Sequence, residues 1–523
     1  MHALPLCFLL SVLALMSACG ERSALYHLTE PSGLYFSKAD TCDGFEPPKS
    51  ERRLHALLGQ LKQGHSEDET GLYVIEDGGG ALAARGWLTR EATKSIDIQY
   101  FIFSADALGL IALQELRVAA ERGVKVRLII DDLLYDGDAQ ILRSFSELPN
   151  VEVKIYNPSI NVGLGVIEKA SNLANDFRNA NQRMHNKTFI VDEEVVITGG
   201  RNVADEYFDF NLEFNFRDRD MLLIQGAASD VQASFNQFWE DKRTVAIQKL
   251  LPKTHKDSET ILTQLARLRC NPKQFWPEVQ QRIASAPMLF THHIQSGRLA
   301  WVKGVHFVSD DPGKNDGTKG LKGLGKSTKA LLQLVEGAKK SVVIQTPYLV
   351  TTSVSQGLFK RAIDRGVTVK IITNSLSSTD NYPAFAGYQK DRDRLVELGV
   401  ELYESRPDAP AWADLMTSAL SKKLKVIDEL PSMGLHAKSM VIDGETLMVG
   451  TFNLDPRSAN LNTECVTIAK DPPLAQKMLE QMELEMQPMN AWRVTRDWNP
   501  DGEASFAKRW RAFWGSPVPK SIL

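Results

Sequence analysis

Two short stretches of this chain carry the same reactive side chains at the same spacing. His185, Lys187 and Asp192 stand in HNKTFIVD, and His436, Lys438 and Asp443 stand in HAKSMVID, with 251 residues between corresponding positions. After each Asp come six residues and then GxxN, ending at Asn202 and Asn453, and eleven residues beyond each Asn is a Glu, Glu213 and Glu464. Two matched registers of this length point to one composite pocket supplied by both copies, not to two coincidences.

The residue types suit a phosphodiester. A neutral imidazole is a nucleophile and proton carrier near neutral pH, and a neighbouring ammonium adds fixed positive charge without competing for the same proton. Two Lys and two Asn amides can neutralise and hydrogen-bond a phosphate while charge builds on its equatorial oxygens. One His can attack phosphorus in line while the other protonates the departing alcohol, giving a phosphohistidine that a second alcohol or water then resolves. Glu213 and Glu464 could accept Nδ1–H and fix the His tautomer, whereas Asp192 and Asp443, at the strand ends, are expected to orient loops. The scheme calls for no metal or cofactor, and a cation beside each His would be repelled by its Lys.

The elements that must position these groups are duplicated too. Before His185 come strand-like SIDIQYFIF (95–103), a helical ALQELRVAAERG, VKVRLIIDD (124–132) and VEVKIYN (151–157); before His436 come SVVIQTPYL (341–349), a helical GLFKRAIDRG, VTVKIITNS (367–375) and VELYES (400–405). Short β-branched runs alternating with helical patterns predict an α/β fold of two duplicated lobes about a pseudo-twofold axis, each a mainly parallel sheet flanked by helices. The expected boundaries are a leader at 1–19, an irregular N-terminal extension at 20–80, lobes at 81–245 and 327–490, a linker at 246–326 and a tail at 491–523.

Composition narrows the partners. With 61 Lys plus Arg against 65 Asp plus Glu, a net charge of −4 and a pI near 6.3, the chain lacks the basic bias of a polyanion binder, so nucleic acid is not an expected partner. The leader MHALPLCFLLSVLALMSACG has the form of a secretory signal, and LMSAC resembles a bacterial lipoprotein box with Cys19 as the lipidated residue. That predicts a cell-envelope protein, exported and anchored on the periplasmic side. Of the other Cys, Cys42 and Cys270 could pair or remain separate thiols, and Cys465 reads as core.

Two further segments draw the eye. GLKGLGKS, from Gly320 to Ser327, satisfies the letters of a phosphate-binding loop with Lys326 and Ser327 in the phosphate and magnesium positions, but polar DGTK precedes it where a buried strand is required, so 313–327 reads as a mobile loop. In the tail, Phe506, Trp510, Phe513 and Trp514 recur at helical spacing among Lys508, Arg509 and Arg511, which fits either a lipid interface or docking on the lobe.

The doubled HxKxxxxD motif resembles that of the phospholipase D superfamily, and MHNKTFIVD with GGRNVADEYFDF, IDIQYFIF, TNSLSSTDNYPAFAGY, and LHAKSMVID with GTFNLDPRSANLNTE resemble the bacterial cardiolipin synthases of the C type. The resemblance implies transfer of a phosphatidyl group between phospholipids such as phosphatidylglycerol and phosphatidylethanolamine. It implies His185 as nucleophile and His436 as acid/base, phosphate binding by Lys187, Asn202, Lys438 and Asn453, and orientation of the His pair by Glu213 and Glu464. Hydrolysis to phosphatidic acid is the alternative, and a nuclease-type phosphodiesterase a more distant one, because water, lipid and nucleic acid can meet the same catalytic groups.

Overall fold

The computed structural model describes residues 53–132, 139–159, 162, 181–211, 213–252, 283, 286, 288, 299–314, 323–415 and 431–523. The leader with Cys19, and Cys42 and Cys270, lie outside the described residues. The chain forms two units: one holds the described residues up to Phe208 and from Asp220 to Val305, the other Asp209–Arg219 and everything from His306 onward.

The first unit is built on β1 (Glu69–Ile75), β2 (Ser95–Tyr100), β3 (Lys125–Asp131), β4 (Val151–Tyr156), β5 (Thr188–Val191) and β6 (Val195–Gly199), while β7 (Phe214–Arg217) belongs to the second unit. Its sheet is completed by β8 (Asp220–Ile224), β9 (Thr244–Ala246) and β10 (Ala300–Lys303), in the order β10-β1-β8-β6-β5-β2-β3-β4-β9. Ile96, Ile98, Val126, Leu128, Ile130, Val153 and Ile155 are all buried in β2 to β4, each contributing about 1.5–3 kcal/mol relative to exposure.

The second unit repeats this plan with β11 (His306–Ser309), β12 (Ser341–Gln345), β13 (Thr368–Asn374), β14 (Glu401–Ser405), β15 (Ser432–Leu435), β16 (Ser439–Ile442), β17 (Thr446–Gly450), β18 (Cys465–Lys470) and β19 (Ala491–Arg493). The sheet order is β11-β18-β17-β16-β12-β13-β14-β19, and β15 pairs in parallel with β7 as a separate ribbon. Cys465 is a buried thiol in β18. The crossover helices are capped by polar side chains: Asp106 accepts from Gly109 N at 2.9 Å to open Ala107–Glu121, and Thr352 with Ser355 forms a capping box for Ser353–Asp364.

Both sheets are mixed, which corrects the mainly parallel expectation. β2-β3-β4 and β12-β13-β14 are parallel, and every other pairing within the two sheets is antiparallel. The cause is a hairpin directly after each HxKxxxxD. Asp192 and Glu193 have φ of 52° and 63°, and Asp443 and Gly444 have 57° and 69°, left-handed pairs that open three-residue turns between the paired Val191 and Val195 and between Ile442 and Thr446.

The expected boundaries also shift. Residues 53–80, read as irregular, include the helix Arg53–Leu61 and β1, and the stretch read as linker gives β10 to one sheet and β11 to the other. In the segment read as mobile, Lys314 is buried against Asp310 at 2.8 Å, and Lys326 opens a helix running to Gly337. The Ser327 hydroxyl donates to Asp310 Oδ2 at 2.6 Å and its N–H to Oδ1 at 2.9 Å, while Lys326 reaches Asp311 at 2.6 Å. A hydroxyl committed to a buried carboxylate is not placed as a magnesium ligand, so these letters do not make a phosphate loop.

Candidate active site

The same device places each motif His. At the C-terminal end of β3, Asp131 Oδ2 accepts from Met184 N at 2.8 Å; at the matching end of β13, Asn374 brackets Leu435, accepting from its N–H at 2.8 Å and donating to its carbonyl at 2.7 Å. Met184 and Leu435 are the residues before His185 and His436, so a side chain fixed to a central parallel strand sets where each imidazole begins. Each Lys then folds back over its own His: Lys187 Nζ donates to the His185 carbonyl at 2.8 Å and Lys438 Nζ to the His436 carbonyl at 2.6 Å. Phe101 meets the His185 ring edge-on with centroids 4.8 Å apart, as Tyr348 meets His436 at 6.5 Å. Asn202 accepts from Ile102 N at 3.1 Å, which orients its amide, and Asn453 is likewise buried, its N–H directed at Ser458 Oγ at 3.3 Å.

His436 is held most explicitly. Its Nδ1 lies 2.5 Å from Asp218 Oδ2, and a carboxylate can only accept, so Nδ1 carries the proton and Nε2 is left to exchange one. Asp218 follows β7, the first-repeat strand that joins the second unit. The preceding residue anchors it: the Arg217 carbonyl accepts from His436 N at 2.7 Å and Ala437 N at 2.9 Å. The Arg217 guanidinium meets Glu485 Oε1 at 3.0 and 2.9 Å, Gln345 donates to the other Glu485 oxygen at 2.6 Å, and Arg219 bridges Gln345 and Ser439 at 2.6 and 2.8 Å. Gly434 in β15 is required here, since a Cβ would sit 2.6 Å from the Phe214 ring and 2.9 Å from the Ser378 carbonyl oxygen.

Lys438 Nζ also lies 3.0 and 3.1 Å from the two ring nitrogens of His436. Burial pushes this ammonium down to about 8, against the opposing pull of Asp218, Glu464, Asp380 and Asp455. An arriving phosphate would add negative charge and favour the protonated form, so the site is matched to an anion.

The remaining motif residues serve differently. Asp192 sits at the opposite end of β5 from His185 and accepts from the backbone N–H groups of Thr93, Lys94 and Ser95 at 2.7–3.1 Å. Asp443 does the same for Lys339, Lys340 and Ser341 at 2.6–3.1 Å. Each is thus the first residue of a hairpin turn whose carboxylate ties down the loop entering the neighbouring strand of the sheet, β2 or β12. Burial disfavours the Asp443 charge, but those three N–H groups outweigh it and hold the carboxyl below its ordinary value.

Glu213 departs from the expected role. Glu213 is exposed at the mouth of β7, where its backbone carbonyl accepts from Ser432 N at 2.9 Å, a poor place from which to fix a buried imidazole. Glu464 is buried and accepts from the Thr451 hydroxyl at 2.5 Å, but the carboxylate on His436 Nδ1 is Asp218. By sheet register Asp218, not Glu213, is the counterpart of Glu464: Gly199 pairs with Asp220 and Gly450 with Val466, so five extra residues in the first repeat move the carboxylate away from the position that equal spacing picks out. Its signal was FRDRD, four consecutive charges, Arg217 to Asp220, after a run of alternating aromatics; all four are buried.

The family model described as cardiolipin synthase, PLD-like domain, matches residues 88–239 and 331–485. The chain is 32% identical over 434 residues to cardiolipin synthase C of Escherichia coli, spanning 82% of this chain and 87% of that one. It is 33% identical over 425 residues to an uncharacterized protein of Helicobacter pylori, covering 80% of each. In fold it is similar to the phosphatidylserine synthase of Haemophilus influenzae, with a TM-score of 0.55 at 14% identity over 90% of this chain and 99% of that one. With a doubled motif whose every His, Lys and Asn is in place and a family match across both repeats, the chain belongs to the PLD-like cardiolipin synthase family.

Proposed function

We propose that this protein is a phosphatidyltransferase that moves a phosphatidyl group between phospholipids through a phosphohistidine. The observation that carries the reading is the Asp218–His436–Lys438 arrangement: a tautomer-fixed imidazole with a fixed cation beside it. In the proposed sequence His185 Nε2 attacks phosphorus, the P–O bond to the leaving alcohol breaks, and His436 gives its proton to that oxygen. His436 then takes a proton from the acceptor hydroxyl, whose oxygen attacks phosphorus and releases His185. Lys187, Lys438, Asn202 and Asn453 bind the phosphate oxygens, each group being held in advance so that little is reorganised during reaction.

The relation to cardiolipin synthase C supports cardiolipin as product, with phosphatidylglycerol and phosphatidylethanolamine as candidate donor and acceptor lipids. Export through the leader and lipidation at Cys19, placing the enzyme at the cell envelope, belong to the same proposal. Among the described residues no helix is long and apolar enough to cross a membrane. The test is product analysis: full chain incubated with vesicles of phosphatidylglycerol and phosphatidylethanolamine, lipids resolved by mass spectrometry. Cardiolipin is expected; phosphatidic acid with free headgroup as sole product would replace transfer by hydrolysis, and turnover of neither lipid would remove the reading.

A further inference from the structure

The helix Phe506–Gly515 leaves its largest side chains uncovered. Phe506, Trp510, Phe513 and Trp514 are 74%, 53%, 67% and 62% exposed, yet they touch one another, with ring centroids 5.9–6.4 Å apart along the series. The helix is nevertheless firmly seated through another face. Ala512 and Gly515 are buried, and a Cβ on Gly515 would lie 3.0 Å from Pro383, so the helix meets Tyr382–Glu397 at close range. Arg511 stacks over Tyr382 at 5.7 Å, and Lys508 donates to the Ser377 carbonyl.

Helical geometry sorts these residues cleanly. At about 100° per residue, the four aromatics fall within an arc of about 100°, and Ala512 and Gly515 lie on the opposite side. Arg509 and Arg511, both exposed, fall on the two flanks between them. A cluster of aromatics facing out from a docked helix, bordered on both sides by guanidinium groups, is the arrangement that settles into the boundary between acyl chains and anionic headgroups.

The patch is also coupled to the site. The turn Ser375–Ser378, which receives Lys508, holds Asn374 through the Ser378 hydroxyl at 3.0 Å, and Asn374 is the residue that brackets Leu435 beside His436. We propose that the aromatic face of this helix seats the second unit on an anionic phospholipid surface, presenting the turn that supports His436 to the lipid. The proposal rests on the lipid-transfer reading for its purpose but not for its geometry.

The test uses the full chain, with the leader intact in every variant, and vesicles of phosphatidylglycerol with phosphatidylethanolamine. Replacing Phe506, Trp510, Phe513 and Trp514 together by Ser should lower vesicle turnover by about ten-fold or more, because the exposed apolar contact that seats the site is lost even where the leader still holds the chain on the vesicle. Turnover of detergent-dispersed short-chain phospholipid should not change. Bromine-labelled acyl chains should quench tryptophan emission in the wild type, and the W510F/W514F variant should lose that quenched component. Unchanged vesicle turnover by the Ser variant, or no quenching of Trp510 and Trp514, overturns the seat, as does a loss of self-association in lipid-free solution with vesicle turnover intact. Quenching present in the wild type and lost in the W510F/W514F variant supports the seat even if the wild type turns over no lipid, an outcome that would defeat only the transfer reading.

Discussion

Asp218 Oδ2 stands 2.5 Å from Nδ1 of His436, on a segment that leaves the first repeat to join the second unit. The carboxylate decides which nitrogen carries the proton and hence which one faces chemistry. Asp218 acts through His436 and is a positioning residue. Asp218→Asn should lower kcat by about two to four orders of magnitude while KM changes little, as expected when a neutral amide no longer fixes the tautomer or stabilises the imidazolium. The thermal midpoint should move little. A kcat within a few-fold of wild type would remove Asp218 from the account.

Lys438 predicts an alkaline limb. Its ammonium, pushed down to about 8 by burial, is the form proposed to bind a phosphate, and it is charged below that pH and loses its proton above. kcat/KM should therefore fall as pH rises through about 8, roughly ten-fold per unit beyond it. Lys438→Arg should be slower at neutral pH but should lose this limb, because a guanidinium stays charged. An identical limb in the Arg variant would assign it to another group.

The buried Arg217–Glu485 pair should behave as a unit. Both side chains are almost fully buried, so Arg217→Met alone strands a carboxylate and should cost about 3–5 kcal/mol in denaturant unfolding. The double change Arg217→Met with Glu485→Leu should recover most of that loss. If the double variant is no more stable than the single, the pair is not what holds β7 to the second unit.

Asp443 should matter for stability and not for the chemical step. Asp443→Asn removes a carboxylate accepting three backbone N–H groups and should destabilise by about 1–3 kcal/mol at neutral pH, with kcat of the folded enzyme nearly unchanged. Because the folded carboxyl titrates below its ordinary value, the stabilisation is present above that value and is lost as pH falls through the folded one; the difference from Asn should shrink in acid. A loss of kcat without a loss of stability would reverse the assignment.

The repeat made much of this legible. Spacing alone brought out His185, His436, both Lys and both Asn, and the β-branched runs located β2, β3 and β4 and their counterparts β12, β13 and β14 to within a few residues. What escaped had physical reasons. The hairpins after each motif were overlooked because a helix-rich α/β pattern favours parallel sheets, although the Asp443–Gly444 turn was a direct antiparallel cue. β1, β10 and β11 lie in short or polar segments whose strand character comes from their partners. Asp218 matches Glu464 by sheet register but lies five residues beyond the equal-spacing position, so counting along the chain pointed to Glu213 in its place.

The central proposal, that two His from two repeats serve one phosphodiester, is tested most directly by turnover of phosphatidylglycerol vesicles with His185→Ala and His436→Ala made separately in the full chain. Each change should lower phosphatidyl transfer by at least about a thousand-fold, since nucleophile and acid/base belong to the same two displacements. Retention of about half of the wild-type rate by either variant would mean two independent sites and would contradict the account.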